Sequence, residues 1–287
     1  RPTVAVLTGI APVHLEQLGS LWAILEAKLE LFEHMDPAGW WVYPAPDAFI
    51  RAGIAALPLE QHKTLRFVPG IQMVDPGDPD LLAGERFRWD PVGQRWHFTL
   101  HLREKRAETN LATVAMGQIW SALAASAGAL ALGLTLEQVA HRLPLTPPIT
   151  GRMELQGRFP NRTILVDCYN SNPVSAGDAL ETLVRIGQGR PTVAVLGGMK
   201  ELGPEAERYH RELGGKVRAL NIGTLLAVGE EAPWIAAGAA GGLTQVFTAA
   251  AITDAEGWLG TQIPGDAVVL LKGSRTYALE RALDLSW

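Results

Sequence analysis

Five short stretches hold the side chains that could do chemistry, and the oddest is a lysine on a helix predicted over residues 20–35. At about 100° per residue, Leu21, Ile24, Leu25, Leu31, Phe32 and Met35 gather around Lys28, and Glu26, Glu30 and Glu33 fall on the far side. An ammonium within an apolar stripe loses hydration, and no carboxylate stands three or four residues away to compensate. Either the side chain snorkels to water, or the amine is functional and its reactivity is altered by desolvation. His14 lies in Gly9-Ile10-Ala11-Pro12-Val13-His14-Leu15-Glu16, beyond the first predicted strand, where open α/β sheets bind ligands. A lone loop histidine is equally an ordinary surface residue, and spacing alone does not make it a metal ligand.

Three further loops follow predicted strands. In Asp167-Cys168-Tyr169-Asn170-Ser171-Asn172-Pro173, Asn172 suits a helix N-cap and Pro173 the first helical position. Asp167 could meet a hydroxylated ligand, or could serve with the asparagines only to satisfy orphan helix donors. Leu196-Gly197-Gly198-Met199-Lys200-Glu201-Leu202-Gly203 has glycines that let a backbone approach a ligand closely. Lys272-Gly273-Ser274-Arg275 offers two cations and helix-start N–H groups, an anion site or a solvated turn. Together these strand-end loops strengthen one another.

The elements that must position these residues are those of an α/β protein. At 287 residues the chain suggests roughly two domains. Hydrophobic residues make up 47% and charged residues 19%, enough to fold without bulk disorder. The net charge is -5 with scattered basic residues, so no footprint for nucleic acid is present. Cys168 is the single cysteine, too few for a disulfide or a zinc cluster, and a cytoplasmic setting is expected. The chain starts at Arg1 and runs straight into an apolar, β-branched segment, so a missing upstream portion is expected.

Residues 111–134 carry no charge and exceed the length of a membrane span, but they are rich in Ala, Gly and Ser, so a buried helix against a sheet is expected. Residues 86–89 and 96–100 flank Asp90-Pro91-Val92-Gly93 and predict a hairpin. Thr135 predicts a helix cap. The proline-rich segment 144–151 predicts a boundary between residues 1–149 and 150–287. Beyond it, strands at 163–166, 192–196, 225–228, 245–247 and 267–271 alternate with helices from 173, over 205–220, around Trp234 and over 249–259. That alternation predicts a parallel sheet covered on both faces. A parallel sheet in residues 1–149 with bare edges would need a partner chain, a dimer or cover from the hairpin. No Gly-x-x-x-x-Gly-Lys-Ser/Thr, Gly-x-Ser-x-Gly or His-Glu-x-x-His occurs, so ATP binding by a phosphate loop is unsupported.

Read in order, the motifs resemble the Mur ligases. The resemblance rests on Pro12-Val13-His14-Leu15-Glu16, Ala27-Lys28-Leu29-Glu30-Leu31-Phe32, Gly151-Arg152-Met153-Glu154, Asp167-Cys168-Tyr169-Asn170-Ser171-Asn172-Pro173, Glu201-Leu202-Gly203, Tyr209-His210-Arg211-Glu212-Leu213-Gly214 and Lys272-Gly273-Ser274-Arg275. It implies an α/β fold in which residues 1–149 form part of a central ATPase-type domain lacking its phosphate loop and residues 150–287 a Rossmann-like, doubly wound domain. It implies ATP-dependent amide ligation in cytoplasmic peptidoglycan synthesis, with D-alanyl-D-alanine added to a UDP-MurNAc peptide through an acyl phosphate. By the same resemblance Lys28 would be carbamylated and ligate Mg2+ with His14. Arg152 would face the ATP phosphates, Asp167, Tyr169 and Asn170 would lie at the nucleotide, and Lys272 and Arg275 would contact anionic substrate or the acyl phosphate.

The sequence departs from the family pattern in places. Gly117, Gln118 and Ser121 stand where the family usually has a His-Asn pair and a later Asn around the adenine, and Gly198 stands where an aspartate is usual. Two function classes therefore remain. One is the C-terminal portion of such a ligase, completed by an N-terminal polypeptide and poorly active alone. The other is a divergent homologue that binds a partner or a nucleotide-linked ligand without catalysing ligation; a homo-oligomer is a further possible partnership.

Overall fold

A computed structural model describes residues 1–57, 63–70, 78–156 and 161–285. Strand β1 (Val4–Val6) is followed by the single-turn helix α1 (Leu15–Leu18) and by α2 (Leu21–Glu33), which starts where Ser20 accepts a hydrogen bond from the Ala23 N–H. Then come β2 (Trp40–Pro44), α3 (Ala48–Ala55), β3 (Lys63–Pro69), β4 (Leu81–Asp90), β5 (Arg95–Leu102), β6 (Lys105–Leu111), α4 (Met116–Ala131) and α5 (Leu136–Arg142). The chain divides into one unit of Arg1–Ile10 with Ser20–Pro147 and a second of Ala11–Gly19 with Pro148–Trp287. The short segment that carries His14 thus goes with the second unit.

The first unit is a six-stranded sheet in the order β1-β2-β3-β4-β5-β6. Strands β1 to β4 run parallel, and β5 and β6 continue antiparallel from β4. The expected hairpin is therefore β4 and β5, and it extends the sheet instead of leaving β4 as an edge. At the other side the sheet ends on β1, only three residues long. Helix α4 buries Ile119, Ala122, Leu123, Ala124, Ala127 and Gly128. A Cβ at Gly128 would come within 3.3 Å of Val6, so its small residues do allow close approach to the sheet. Thr135 caps α5 in a reciprocal capping box with Gln138. Among the described residues no helix is long and apolar enough to cross a membrane.

The second unit contains β7 (Glu154–Gln156), β8 (Thr163–Asp167), α6 (Pro173–Gly187), β9 (Thr192–Gly197), α7 (Ala206–Ala219), β10 (Thr224–Val228), α8 (Ala232–Ala239), β11 (Gln245–Ala249), α9 (Glu256–Gln262) and β12 (Val268–Lys272). Its sheet order is β11-β10-β9-β12-β8-β7, parallel throughout except for β7, which pairs antiparallel with β8. Every residue of β10 and of β12 is buried, as expected of strands covered on both faces. The helix predicted over 249–259 is instead the end of β11, a 3-10 turn at Ile252–Ala255 and α9. The register aligns the strand ends that matter, with Lys272 beside Asp167 on one side and Leu196 on the other, and Val228 beside Gly197. Loops after β8, β9, β10 and β12 consequently leave one edge of the sheet together.

Candidate functional site at the strand ends of the second unit

The first pair at this edge is Lys272 and Asp167. Lys272 is 1% exposed, its Nζ lies 3.0 Å from Asp167 Oδ2 and it donates to the Asn170 carbonyl at 2.6 Å. A buried ammonium persists only when paired and hydrogen-bonded, and both conditions are met here. The Lys272 side chain, expected to contact an anionic substrate, is here committed to these two partners. It faces inward and holds the Asp167 carboxylate and the backbone of the following loop. Asn170 Oδ1 accepts the Ser171 N–H at 2.8 Å, and Asn172 caps α6 in a reciprocal box with Ser175. Cys168 is buried, donates to the Leu271 carbonyl at 3.4 Å, and its thiol is pushed up to about 12, chiefly by burial.

Tyr169 faces outward, 55% exposed, with the Arg152 guanidinium 4.2 Å above its ring. The guanidinium thus covers one face of the ring as a cation–π pair. A cavity of about 180 Å³ next to it is lined by Gly151, Glu154, Cys168, Tyr169, Arg275 and Glu280, among others. Arg275 keeps an exposed guanidinium and pairs with Glu280 at 2.9 Å.

The loop after β9 is held from several directions. The Met199 N–H donates to His210 Nε2 at 2.8 Å, while His210 Nδ1 donates to the Ala206 carbonyl at 2.6 Å. This pattern requires a neutral imidazole, and burial lowers the His210 pKa accordingly. Lys200 N–H donates to Ser274 Oγ at 3.1 Å, and Ser274 N–H returns a bond to the Gly198 carbonyl at 3.1 Å. Lys200 Nζ pairs with Glu231 Oε1 at 2.7 Å, and the Tyr277 hydroxyl donates to Glu231 Oε2. Burial alone would raise the Glu231 carboxyl, but the hydrogen bonds from Lys200 and Tyr277 bring it below its usual range. The Tyr277 hydroxyl is pushed up to about 12 by burial and by the Glu231 carboxylate. Its ring lies over glycines, since a Cβ at Gly197 would come within 2.9 Å of a ring carbon and one at Gly229 would overlap the ring. A cavity of about 290 Å³ opens beside this cluster, lined by Lys200, Gly229, Glu230, Ala251 and Tyr277, among others.

His14 caps α1 with left-handed backbone (φ 57°), and its Nδ1 faces the Glu201 carboxylate. The Glu16 N–H donates to the Glu201 carbonyl at 3.1 Å, so the two segments are joined through backbone as well. Lys28 belongs to the first unit and is exposed. The desolvation expected from its apolar stripe is not realised, because the helix turns Ile24, Leu25, Leu29 and Phe32 inward and leaves Leu21 and Leu31 some 39% and 41% exposed beside Lys28. Among the described residues no group of three or more His, Cys, Asp or Glu side chains could hold a metal ion.

Glu231 and Tyr277 carry no signal of their own in the sequence. Each is an unremarkable residue in its own loop, and only the sheet order brings them to Lys200. His210 was visible only as part of a motif, with no hint of its role in fixing Met199.

Family models match most of the chain, "Mur ligase middle domain" over residues 1–127 and "Mur ligase, glutamate ligase domain" over residues 151–275. A UDP-N-acetylmuramoyl-tripeptide--D-alanyl-D-alanine ligase of Mycobacterium tuberculosis (strain ATCC 25618 / H37Rv) is 31% identical over 79% of this chain and 44% of its own length. The crystal structure of MurF from Acinetobacter baumannii superposes with a TM-score of 0.83 at 27% identity, over 99% of this chain and 59% of that one. MurF ligase from Thermotoga maritima in complex with ADP shares the fold, with a TM-score of 0.81 at 24% identity over 99% of this chain and 61% of that one. The chain thus spans about half the length of the relatives it matches.

Proposed function

The chain belongs to the Mur ligase family, and from that premise we propose that it forms part of an ATP-dependent amide ligase that joins D-alanyl-D-alanine to a UDP-MurNAc peptide in peptidoglycan precursor synthesis. In this reading ATP transfers its terminal phosphoryl group to the peptide carboxylate, giving ADP and an acyl phosphate. The dipeptide amine then attacks the acyl carbon, phosphate leaves, and the amine proton is released. UDP-MurNAc peptide, D-alanyl-D-alanine and ATP are the partners the reading requires.

The observation that carries it is the gathering of Asp167, Lys272, Ser274 and the loop at Lys200 on one edge of one sheet, beside the Arg152–Tyr169 stack. Arg152 supplies a cation suited to a nucleotide phosphate, and Tyr169 an exposed ring suited to a planar group. Asp167 spends Oδ2 on Lys272, leaving its other oxygen for a ribose hydroxyl. Arg275 is the exposed cation of its loop and fits the anionic substrate, whereas Lys272 acts by orienting Asp167 and Asn170. The family resemblance further assigns magnesium ligation to Lys28, as a carbamate, and to His14.

Calorimetric titration of the protein from its native gene with Mg-ATP tests the reading. Binding is expected, and Arg152→Ala is expected to weaken it by about tenfold, the loss of one charge-assisted hydrogen bond. No heat of binding would overturn the ligase reading and turn attention to a non-catalytic role.

A further inference from the structure

We infer that Glu231 is a positioning residue of the proposed ligase site, tying the loop after β9 to the loop after β12 and so setting where Glu201 and Arg275 stand. The inference rests on the function proposed above. Its first support is that one carboxylate serves two loops. Lys200 Nζ donates to Glu231 Oε1 at 2.7 Å and the Tyr277 hydroxyl donates to Oε2, so both oxygens are engaged. The Glu231 side chain is only 10% exposed. Lys200 Nζ also stands 5.0 Å over the Tyr277 ring, closing the triangle.

The second support is the space at Gly198. A Cβ built there would lie 2.6 Å from Glu231 Cδ and 2.8 Å from the Tyr277 hydroxyl. Position 198 can hold no side chain while Glu231 is in place. The carboxylate at the tip of β9 is therefore delivered from the loop after β10.

The third support is what adjoins the tied residues. Glu201 follows Lys200 directly, in a left-handed backbone (φ 64°), and faces His14. Arg275 opens the short turn that ends at Tyr277, and Ala278 (φ 46°) closes it in the same left-handed region. Backbone held in such sparsely populated conformations by surrounding contacts moves when those contacts go. Glu231 itself acts through these neighbours and is not assigned a contact with substrate.

Glu231→Ala in the full chain is expected to lower kcat roughly 100-fold, the effect of a misplacement of about 1 Å. KM for ATP should change far less, because Arg152, just before β7, and Tyr169, on the loop after β8, lie outside the tie. The Tyr277 hydroxyl should titrate at lower pH than in the parent protein, read from tyrosinate absorbance. Adding Gly198→Asp to Glu231→Ala returns a carboxylate to the vacated space, and should recover most of the lost kcat and the high Tyr277 titration. Gly198→Asp alone, with Glu231 retained, should lose activity through crowding. Full kcat in Glu231→Ala would overturn the inference. So would failure of Gly198→Asp to recover kcat when the Tyr277 titration has returned. A parent protein that forms no amide product would defeat the ligase reading instead, and an unchanged Tyr277 titration in Glu231→Ala would then still refute the tie.

Discussion

Lys272 and Asp167 are register partners on β12 and β8, and their charged ends meet at 3.0 Å although the lysine is almost fully buried. The sheet thus carries an ion pair at the edge where the candidate site is built, and the Asn170 carbonyl takes a further hydrogen bond of the ammonium.

Lys272→Met should destabilise the protein by about 3–5 kcal/mol, because it strands the Asp167 carboxylate in a largely buried place. Replacing both partners, Lys272→Met with Asp167→Leu, should cost less than the sum of the two single changes. Denaturant unfolding of the three variants checks this. Additive losses would show that the pair is not coupled.

His210 gives a pH dependence with a definite sign. Its ordinary value is 6.5, and burial lowers it in the folded protein, where Nε2 must accept the Met199 N–H. The unfolded chain then takes up the proton first as pH falls. Stability from the neutral imidazole is fully present above pH 6.5 and is lost progressively below it. The stability advantage of the parent over His210→Gln should shrink as the pH is lowered from 7 to about 5. A constant difference over that range would contradict the neutral assignment.

Gly229 has a positive φ of 98° and lies against the Tyr277 ring. Gly229→Ala should cost about 1–3 kcal/mol from overpacking, besides the backbone strain of an L-residue there. In a Tyr277→Ala background the packing part should vanish and only the strain remain. Equal costs in the two backgrounds, measured by thermal or denaturant unfolding, would show that the ring does not occupy the glycine bed.

Much of the architecture was legible because the physics that fixes it is local. Short apolar runs announced β8, β9, β10 and β12, and Thr135 and Asn172 announced helix starts by their capping chemistry. The strand β7 escaped notice because three residues carry no periodicity. Lys28 shows a different limit. Helical spacing gives the angle of a side chain about the axis, not how far the neighbouring elements reach around it, and here they stop short of Leu21, Lys28 and Leu31. Lys272 shows the converse, since a cation in a loop motif reads as available until the register brings Asp167 beside it. The Lys200–Glu231–Tyr277 cluster is assembled from three loops, and its only local trace is Gly198, whose missing side chain makes room for it.

Mass spectrometry of the reaction mixture tests whether this protein joins the dipeptide to the tripeptide. The protein from its native gene is incubated with ATP, magnesium, a UDP-MurNAc tripeptide and D-alanyl-D-alanine. The expected product has the mass of tripeptide plus dipeptide less one water, and forms with equal amounts of ADP and phosphate only when all components are present. ATP turnover without that product, or no turnover at all, would contradict the proposed ligation.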